Sequence, residues 1–482
     1  MATLAARLLP AAPISAAPVA KAAPAAARWT FERADVDALP KIRRADVAHI
    51  PGKLGLPFVG IVPEALVDPL KFAERMYERY GPVYRFYGRG NWNVQLIGAE
   101  ANELVLFDKA GSFSAYGGWA PLVEPFFPGA LLVKDGQDHR TSRRIIGEAF
   151  RQDRLGGYQR IFAADIDSAV SSWEQGPVDV YEEVKALTLR IAASTFLGLP
   201  LDQGGGAAVR HFSYMMGALL AVVRSPWLSP VAARGFWSKA RLEAQMGGLI
   251  QQKRVSLDDD IFSRVCRLKD EEGRLLSDRE IVDSLIFLLA AAHDTLASGL
   301  TSVVVFLASE PGWADWLREE LEGVRLDDPA DAATAALPRQ DMFFKEAIRL
   351  NAPAPIVWRR AVRDVEIYGH RIPAGTITGV NPLLTHRIAG LWDRPTEFDP
   401  LRFAPEAEAA RHKFAFVPFG GGIHKCLGLH FSMQQARIFM TRLLRCESVE
   451  IDRGKGVSWY NWPNCRPRGR VMGRFTAAPP KR

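Results

Sequence analysis

Apolar residues recur along this chain mainly at helical spacing, and that pattern carries most of the fold prediction. Residues 69–81, 165–198, 277–308 and 427–445 each place apolar side chains three and four positions apart, so each is expected to be helical. The longest apolar pattern lies at 283–308, with Leu285, Ile286, Leu288, Leu289, Val303, Val304 and Phe306. A helix of that composition is stable only when buried, so it is expected at the centre of the molecule. Alternation of period two is rarer. Val83-Tyr84-Arg85-Phe86-Tyr87 and Val94-Gln95-Leu96-Ile97 read as two strands joined by a Gly-Arg-Gly-Asn turn. Proline and glycine between Pro51 and Pro57 punctuate the entry to the folded part. No internal repeat is present. The expectation is a mainly α fold with small peripheral β-sheets, its folded part beginning near residue 41 after a disordered Ala/Pro-rich segment at 1–40.

Composition adds limits. With 482 residues, 48% of them hydrophobic, the chain can bury a large core, and length alone suggests two or three domains. Residues 1–28 hold Arg7, Lys21 and Arg28 with no acid before Glu32. That basic, acid-free composition is shared by transit peptides, but the prolines interrupt any amphipathic helix. No stretch approaches the roughly 18 apolar residues of a spanning helix. Cys266, Cys426, Cys446 and Cys465 lie far apart without the spacings of zinc or disulfide-exchange sites, which favours a reducing compartment. The net charge of +7 is unaccompanied by any nucleic-acid-binding motif, so no nucleic-acid partner is expected.

One cysteine stands out by its context. Phe419-Gly420-Gly421-Gly422-Ile423-His424-Lys425-Cys426-Leu427-Gly428 brings three glycines and a histidine to a single thiol just before a helical segment. A lone cysteine among apolar residues is more often a packing residue. Packing does not call for glycines, however, whereas a cofactor plane approaching the backbone needs bare Cα positions. Backbone N–H groups and a helix N-terminus aimed at the sulfur are expected to lower its pKa and favour the thiolate.

The run resembles the haem-ligand loop of the cytochrome P450 family, with Phe419, Gly422, His424, Cys426 and Gly428 in its five characteristic places. The resemblance, which spans roughly residue 50 to the end, implies the cytochrome P450 fold, a single large helical haem domain over 41–482, haem b as cofactor and Cys426 as the iron ligand. Ala291-Ala292-His293-Asp294-Thr295, which interrupts the central apolar helix, is similar to the family's oxygen-activation motif. A core hydrogen-bond network is the other reading of those polar residues, because buried polar groups cost stability unless bonded. By resemblance, Asp294 relays protons and Thr295 hydrogen-bonds dioxygen and organises water. Ala292 replaces the commoner glycine, and His293 is expected to serve packing or orientation.

Glu346 and Arg349, alone, would read as a surface pair at i,i+3. With Phe398-Asp399-Pro400-Leu401-Arg402-Phe403 some fifty residues later, they resemble the family's Glu-Arg-Arg cluster, so Glu346, Arg349 and Arg402 are implied to support the cofactor pocket. His139 and Arg143, spaced i,i+4, together with Arg359 and His424, fall where the family places donors to the haem propionates. His386 is a further candidate contact. Each would be an ordinary surface charge in isolation.

No nucleotide-binding fingerprint or cluster-binding cysteine set occurs, so electrons from NAD(P)H are expected through a separate ferredoxin or flavin reductase. Arg140, Arg144, Lys413 and Lys425 are candidates for its docking surface, and solubility charge explains them equally. Phe113, Tyr116, Trp119, Leu122, Phe126 and Phe127 in one region, and Met215, Met216, Leu219, Leu220, Trp227, Leu228, Phe236 and Trp237 in another, occupy the family's pocket roof and entrance. Core packing explains many of them equally well. Similarity is nearer to the retinoic-acid and sterol hydroxylase branch than to the camphor or macrolide enzymes. The resulting expectation is a monomeric, cytoplasmic monooxygenase, with room for peripheral membrane contact, that uses dioxygen to hydroxylate an apolar isoprenoid-, sterol- or fatty-acyl-like small molecule. Microsomal relatives carry an N-terminal anchor; none is read here. The alternatives are a peroxide-driven haem-thiolate enzyme and a non-catalytic haem-binding sensor.

Overall fold

Asp278–Ser309 forms one unbroken 32-residue helix through the middle of the computed structural model. Ser277 caps it: the Ser277 hydroxyl accepts from Glu280 N–H at 3.3 Å, and the Glu280 carboxylate accepts from Ser277 N–H at 3.0 Å. Leu285, Leu300, Val303 and Val304 are fully buried along it. The helices Val180–Ala192, Pro338–Leu350 and Leu429–Leu444 pack around it. Among the described residues it is the one helix long and apolar enough to cross a membrane, contrary to the expectation that none approached that limit. Most of it is buried in the core of the fold.

The described residues are 31–479, apart from 89, 152–155, 199–204, 220, 222–224, 259, 270–272, 323, 325 and 327. Residues 1–28, Arg89 of the expected turn and Leu220 lie outside them. Core packing begins before residue 41, the boundary expected from the proline-glycine punctuation. Phe31 and Val36 belong to the main hydrophobic cluster. The Tyr116 hydroxyl donates to Asp37 at 2.9 Å, and the Arg360 guanidinium donates to the carbonyls of Val36, Leu39 and Pro40 at 3.1–3.2 Å.

Other elements follow the pattern closely. Pro69–Tyr80 is helical, and Val83–Gly88 pairs antiparallel with Asn91–Leu96 in unbroken register from Val83 opposite Leu96 to Gly88 opposite Asn91. The segment 165–198 departs from it. It forms parts of two helices, Gly156–Trp173 and Val180–Ala192, separated by a turn and the short strand Val178–Asp179. Gly176 and Pro177 account for the break, since proline lacks the N–H and its ring collides with the preceding helical turn. One sheet has six strands, in the order Gly52–Lys53, Val83–Gly88, Asn91–Leu96, Ile377–Val380, Val357–Ala361 and Phe113–Ser114. It brings Arg359 next to the aromatic helix Ala115–Val123: a Cβ at Gly118 would lie 2.6 Å from the Arg359 backbone. Three smaller sheets, one of three strands and two of two, complete the β-structure, and most of the remaining described elements are helical, as expected.

Candidate functional site

The cysteine loop is held by its own backbone. Cys426 N–H donates to Phe419 O at 2.8 Å, and Lys425 N–H to Gly422 O at 3.2 Å. Gly420 and Gly422 have φ of 67° and 59°, which favour glycine. Space also dictates the glycines, though not in the way the sequence suggested. A Cβ at Gly422 would lie 2.4 Å from Leu106 O, and one at Gly421 2.5 Å from the Phe107 ring. These glycines admit another segment of protein, the π-helical turn Glu103–Phe107. Gly428 differs: its nearest protein neighbour would be Cys426 Sγ at 4.0 Å, so packing does not explain it.

Cys426 is exposed, whereas Cys266, Cys446 and Cys465 are buried. Protein atoms nonetheless surround the thiol on most sides, and this desolvation pushes it up, outweighing the Gly428 N–H and the charges of Arg143 and Lys425 that pull it down. The expectation of a lowered thiol pKa therefore fails for the chain alone.

The helix Gly136–Ala149 supplies His139 and Arg143. Arg143 Nη2 donates to Lys425 O at 2.6 Å, tying this helix to the loop one residue from the cysteine. His139 is fully buried and its ring lies 3.9 Å, centre to centre, from that of His424. Neither ring nitrogen of His139 has a hydrogen-bond partner among the described residues. Burial, reinforced by the charges of Arg143 and Arg359, depresses it to about 3, and the same causes hold His424 well below the ordinary histidine range. Arg359 is 3% exposed, and its Nη1 donates to Trp358 O at 2.9 Å. Burial lowers it to about 10, while Asp135 and Asp108 oppose that shift. Two neutral imidazoles and two guanidiniums thus converge beside the cysteine loop. A buried imidazole with both nitrogens unbonded, next to cations, suits a buried anion.

Behind the loop, Glu346 and Arg349 are both 0% exposed and paired twice, at 2.6 and 2.8 Å. Arg349 also donates to the carbonyls of His386, Pro395 and Glu397 at 2.7–3.0 Å. Arg402 Nε lies 3.4 Å from Glu346 Oε1, and Arg402 Nη1 and Nη2 donate to the carbonyls of Asp393 and Arg394. The three residues are therefore together. His386 belongs with them: its Nε2 accepts from Val417 N–H at 3.1 Å, linking the cluster to the chain entering the cysteine loop.

On the central helix, Phe287, Ala291 and Thr295 recur at i,i+4,i+8 and keep accessible surface, as do Ala292 and Asp294, between the buried stretches 281–286 and 296–305. Thr295 Oγ1 donates to Ala291 O at 2.7 Å. Asp294 Oδ1 is 3.4 Å from His293 Nε2. His293 is buried against Thr188, with Nδ1 3.3 Å from Thr188 Oγ1, and burial depresses it to about 4, so it is a neutral packing residue.

The aromatic regions divide. Tyr116, Phe126 and Phe127 are buried; Phe126 stacks on Phe236 at 4.6 Å, and Phe127 meets Phe287 of the central helix edge-on at 5.8 Å. Trp227, Leu228 and Trp237 are 94%, 78% and 52% exposed and belong to the outer surface, not to a cavity wall. Sequence reasoning missed Asp135, Phe107 and Thr188. Asp135, before Gly136, reads as a helix cap; its actual contacts lie elsewhere and left no local signal.

A family model described as Cytochrome P450 matches residues 50–460. "Putative cytochrome P450 136" of Mycobacterium tuberculosis is 32% identical over 410 residues, 83% of each chain. Human "Cytochrome P450 26C1" is 29% identical, covering 88% of this chain and 86% of its own. Among solved structures, "Retinoic acid bound cyanobacterial CYP120A1" superimposes with a TM-score of 0.81 at 25% identity, covering 91% of this chain and 100% of that one.

Proposed function

The chain belongs to the cytochrome P450 family of haem-thiolate monooxygenases, and we propose that it hydroxylates an isoprenoid-like apolar substrate with electrons from NAD(P)H delivered by a separate ferredoxin or flavin reductase. The observation that carries the substrate reading is the likeness to a structure holding retinoic acid, together with the accessible apolar Phe287 and Ala291 of the central helix, where Phe287 meets the buried Phe127 edge-on. Sterols and fatty acyl chains are the competing classes.

Haem fits the residues present. The unbonded His139 nitrogens beside Arg143, Arg359 and His424 provide for the propionates, and Cys426 supplies an accessible sulfur framed by Phe419, Gly422 and Gly428. A metal cation would offset the desolvation that pushes the thiol up. When bound, haem supplies the reductive activation of dioxygen from which one oxygen atom enters the substrate and the other leaves as water.

The chain's own contribution is binding and proton delivery. Glu346, Arg349 and Arg402 would fix the cysteine loop from behind. Two protons are needed to form water, and Asp294 Oδ1 and Thr295 Oγ1, on one helical turn at the border of accessible space, would carry them. Arg140, Arg144, Lys413 and Lys425 are all exposed and would attract an acidic redox partner.

Thr295→Ala tests the proton path. Losing a hydroxyl bonded back to its own helix does not threaten the fold. Product formed per reductant consumed is expected to fall at least about tenfold, with peroxide released instead. A haem sensor would be unaffected, and a peroxide-driven enzyme would turn over with hydrogen peroxide but not with reductant and redox partner. For substrate class, the high-spin shift of the haem spectrum should be followed with retinoids, carotenoids, sterols and fatty acids. Retinoids or carotenoids are expected to act at the lowest concentration; a response confined to sterols or fatty acids would refute the isoprenoid reading.

A further inference from the structure

Asp135 stands at the N-cap of the helix Gly136–Ala149, where an aspartate ordinarily accepts a hydrogen bond from its own helix. It makes none there. Its carboxylate turns back to the preceding segment instead: Oδ1 accepts from Ala115 N–H at 2.9 Å, and Oδ2 from Tyr116 N–H at 3.2 Å and from the Ser114 hydroxyl. The same Oδ1 is 3.8 Å from His424 Nε2, with the two side chains only 5% and 6% exposed. That separation exceeds a hydrogen bond but leaves the charge in reach, with little water to screen it. The charge also bears on the buried guanidinium of Arg359. One carboxylate therefore faces the aromatic helix Ala115–Val123, the cysteine loop and the strand Val357–Ala361 together.

We propose that Asp135 is a positioning residue of the haem pocket: its fixed, buried negative charge holds the His424 ring and the Arg359 guanidinium where they would grip the haem propionates, and so governs how firmly haem is retained and how readily it accepts an electron. This rests on the haem-thiolate reading above. The plainer role would be a staple for the turn Ser114–Tyr116, with no bearing on the cofactor.

Asp135→Asn separates the two, because it keeps the side chain's shape and one accepting oxygen while removing the charge. With haem-loaded protein, transfer of haem to apomyoglobin is expected to become about tenfold faster, the scale typical of groups that orient a cofactor's direct partners. At fixed pH the ferric/ferrous midpoint should move to more positive potential, because a buried negative charge favours the more positive ferric form. The carbon-monoxide spectrum should not change, since Cys426 is untouched. Wild-type haem loss and midpoint in Asp135→Asn would overturn the proposal. If that variant does not fold, Asp135→Ser, which also removes the charge but leaves a hydroxyl to accept one backbone N–H, replaces it: faster haem loss with a positive midpoint shift supports the proposal, and wild-type values overturn it. Failure of the haem-thiolate reading is distinguishable, since the wild-type protein would then lack the thiolate spectrum altogether.

Discussion

Cys426→Ala is expected to abolish product formation and the far-red-displaced Soret peak of the reduced carbon-monoxide complex, while leaving the polypeptide folded. The fold should survive because the side chain is exposed, so its removal leaves no cavity in the core. The loop is fixed by backbone bonds from Cys426 N–H to Phe419 O and from Lys425 N–H to Gly422 O, and by Arg143 donating to Lys425 O; none involves the sulfur. Apoprotein stability measured by denaturant unfolding should therefore change by no more than about 0.5 kcal/mol. The other three thiols cannot substitute. Cys266, Cys446 and Cys465 are buried, and burial pushes them to about 11, about 11 and about 12. A far-red Soret peak retained in Cys426→Ala would place the iron ligand elsewhere and defeat the site as described.

The sequence made some of this arrangement readable because the forces involved are local. The apolar spacing at 277–308 marks out the central helix, and the alternation at 83–97 marks the two strands of the hairpin. Where several distant segments decide the outcome, the pattern misled. Gly421 and Gly422 looked like clearance for a cofactor, yet a side chain there would strike Phe107 and Leu106, more than three hundred positions earlier. The thiol's direction of shift was misjudged for a similar reason: glycines and a helix start are visible in sequence, but the surrounding protein that desolvates the sulfur is not. Helical periodicity ran through Gly176-Pro177 because the apolar spacing on either side happens to continue across the break. Conversely, Glu346 and Arg349 looked unremarkable at i,i+3, and only their resemblance to a known cluster raised them above a surface pair. In the structure both are sealed from water, which no spacing could have revealed.

That sealing makes Arg349→Ala the most damaging single change expected outside the haem ligand. Removing the guanidinium strands the Glu346 carboxylate at 0% exposure, a situation that typically costs about 3–5 kcal/mol. It also strips donors from the carbonyls of His386, Pro395 and Glu397. Against a total domain stability of about 5–15 kcal/mol, this should lower the unfolding midpoint sharply and leave little haem-loaded protein after expression. Haem content suffers as well as stability because Arg349 anchors the residue whose ring accepts the Val417 N–H, just ahead of the cysteine loop. Arg402→Ala should be milder, about 1–3 kcal/mol, because its Nε sits 3.4 Å from Glu346 without a hydrogen bond and its remaining partners are the carbonyls of Asp393 and Arg394. The double variant Glu346→Gln, Arg349→Met discriminates the cause. If the stranded charge dominates, the double variant will be more stable than Arg349→Ala in denaturant unfolding, since neither charge remains to be buried alone. Equal losses would assign the effect to the three carbonyl bonds instead of the ion pair.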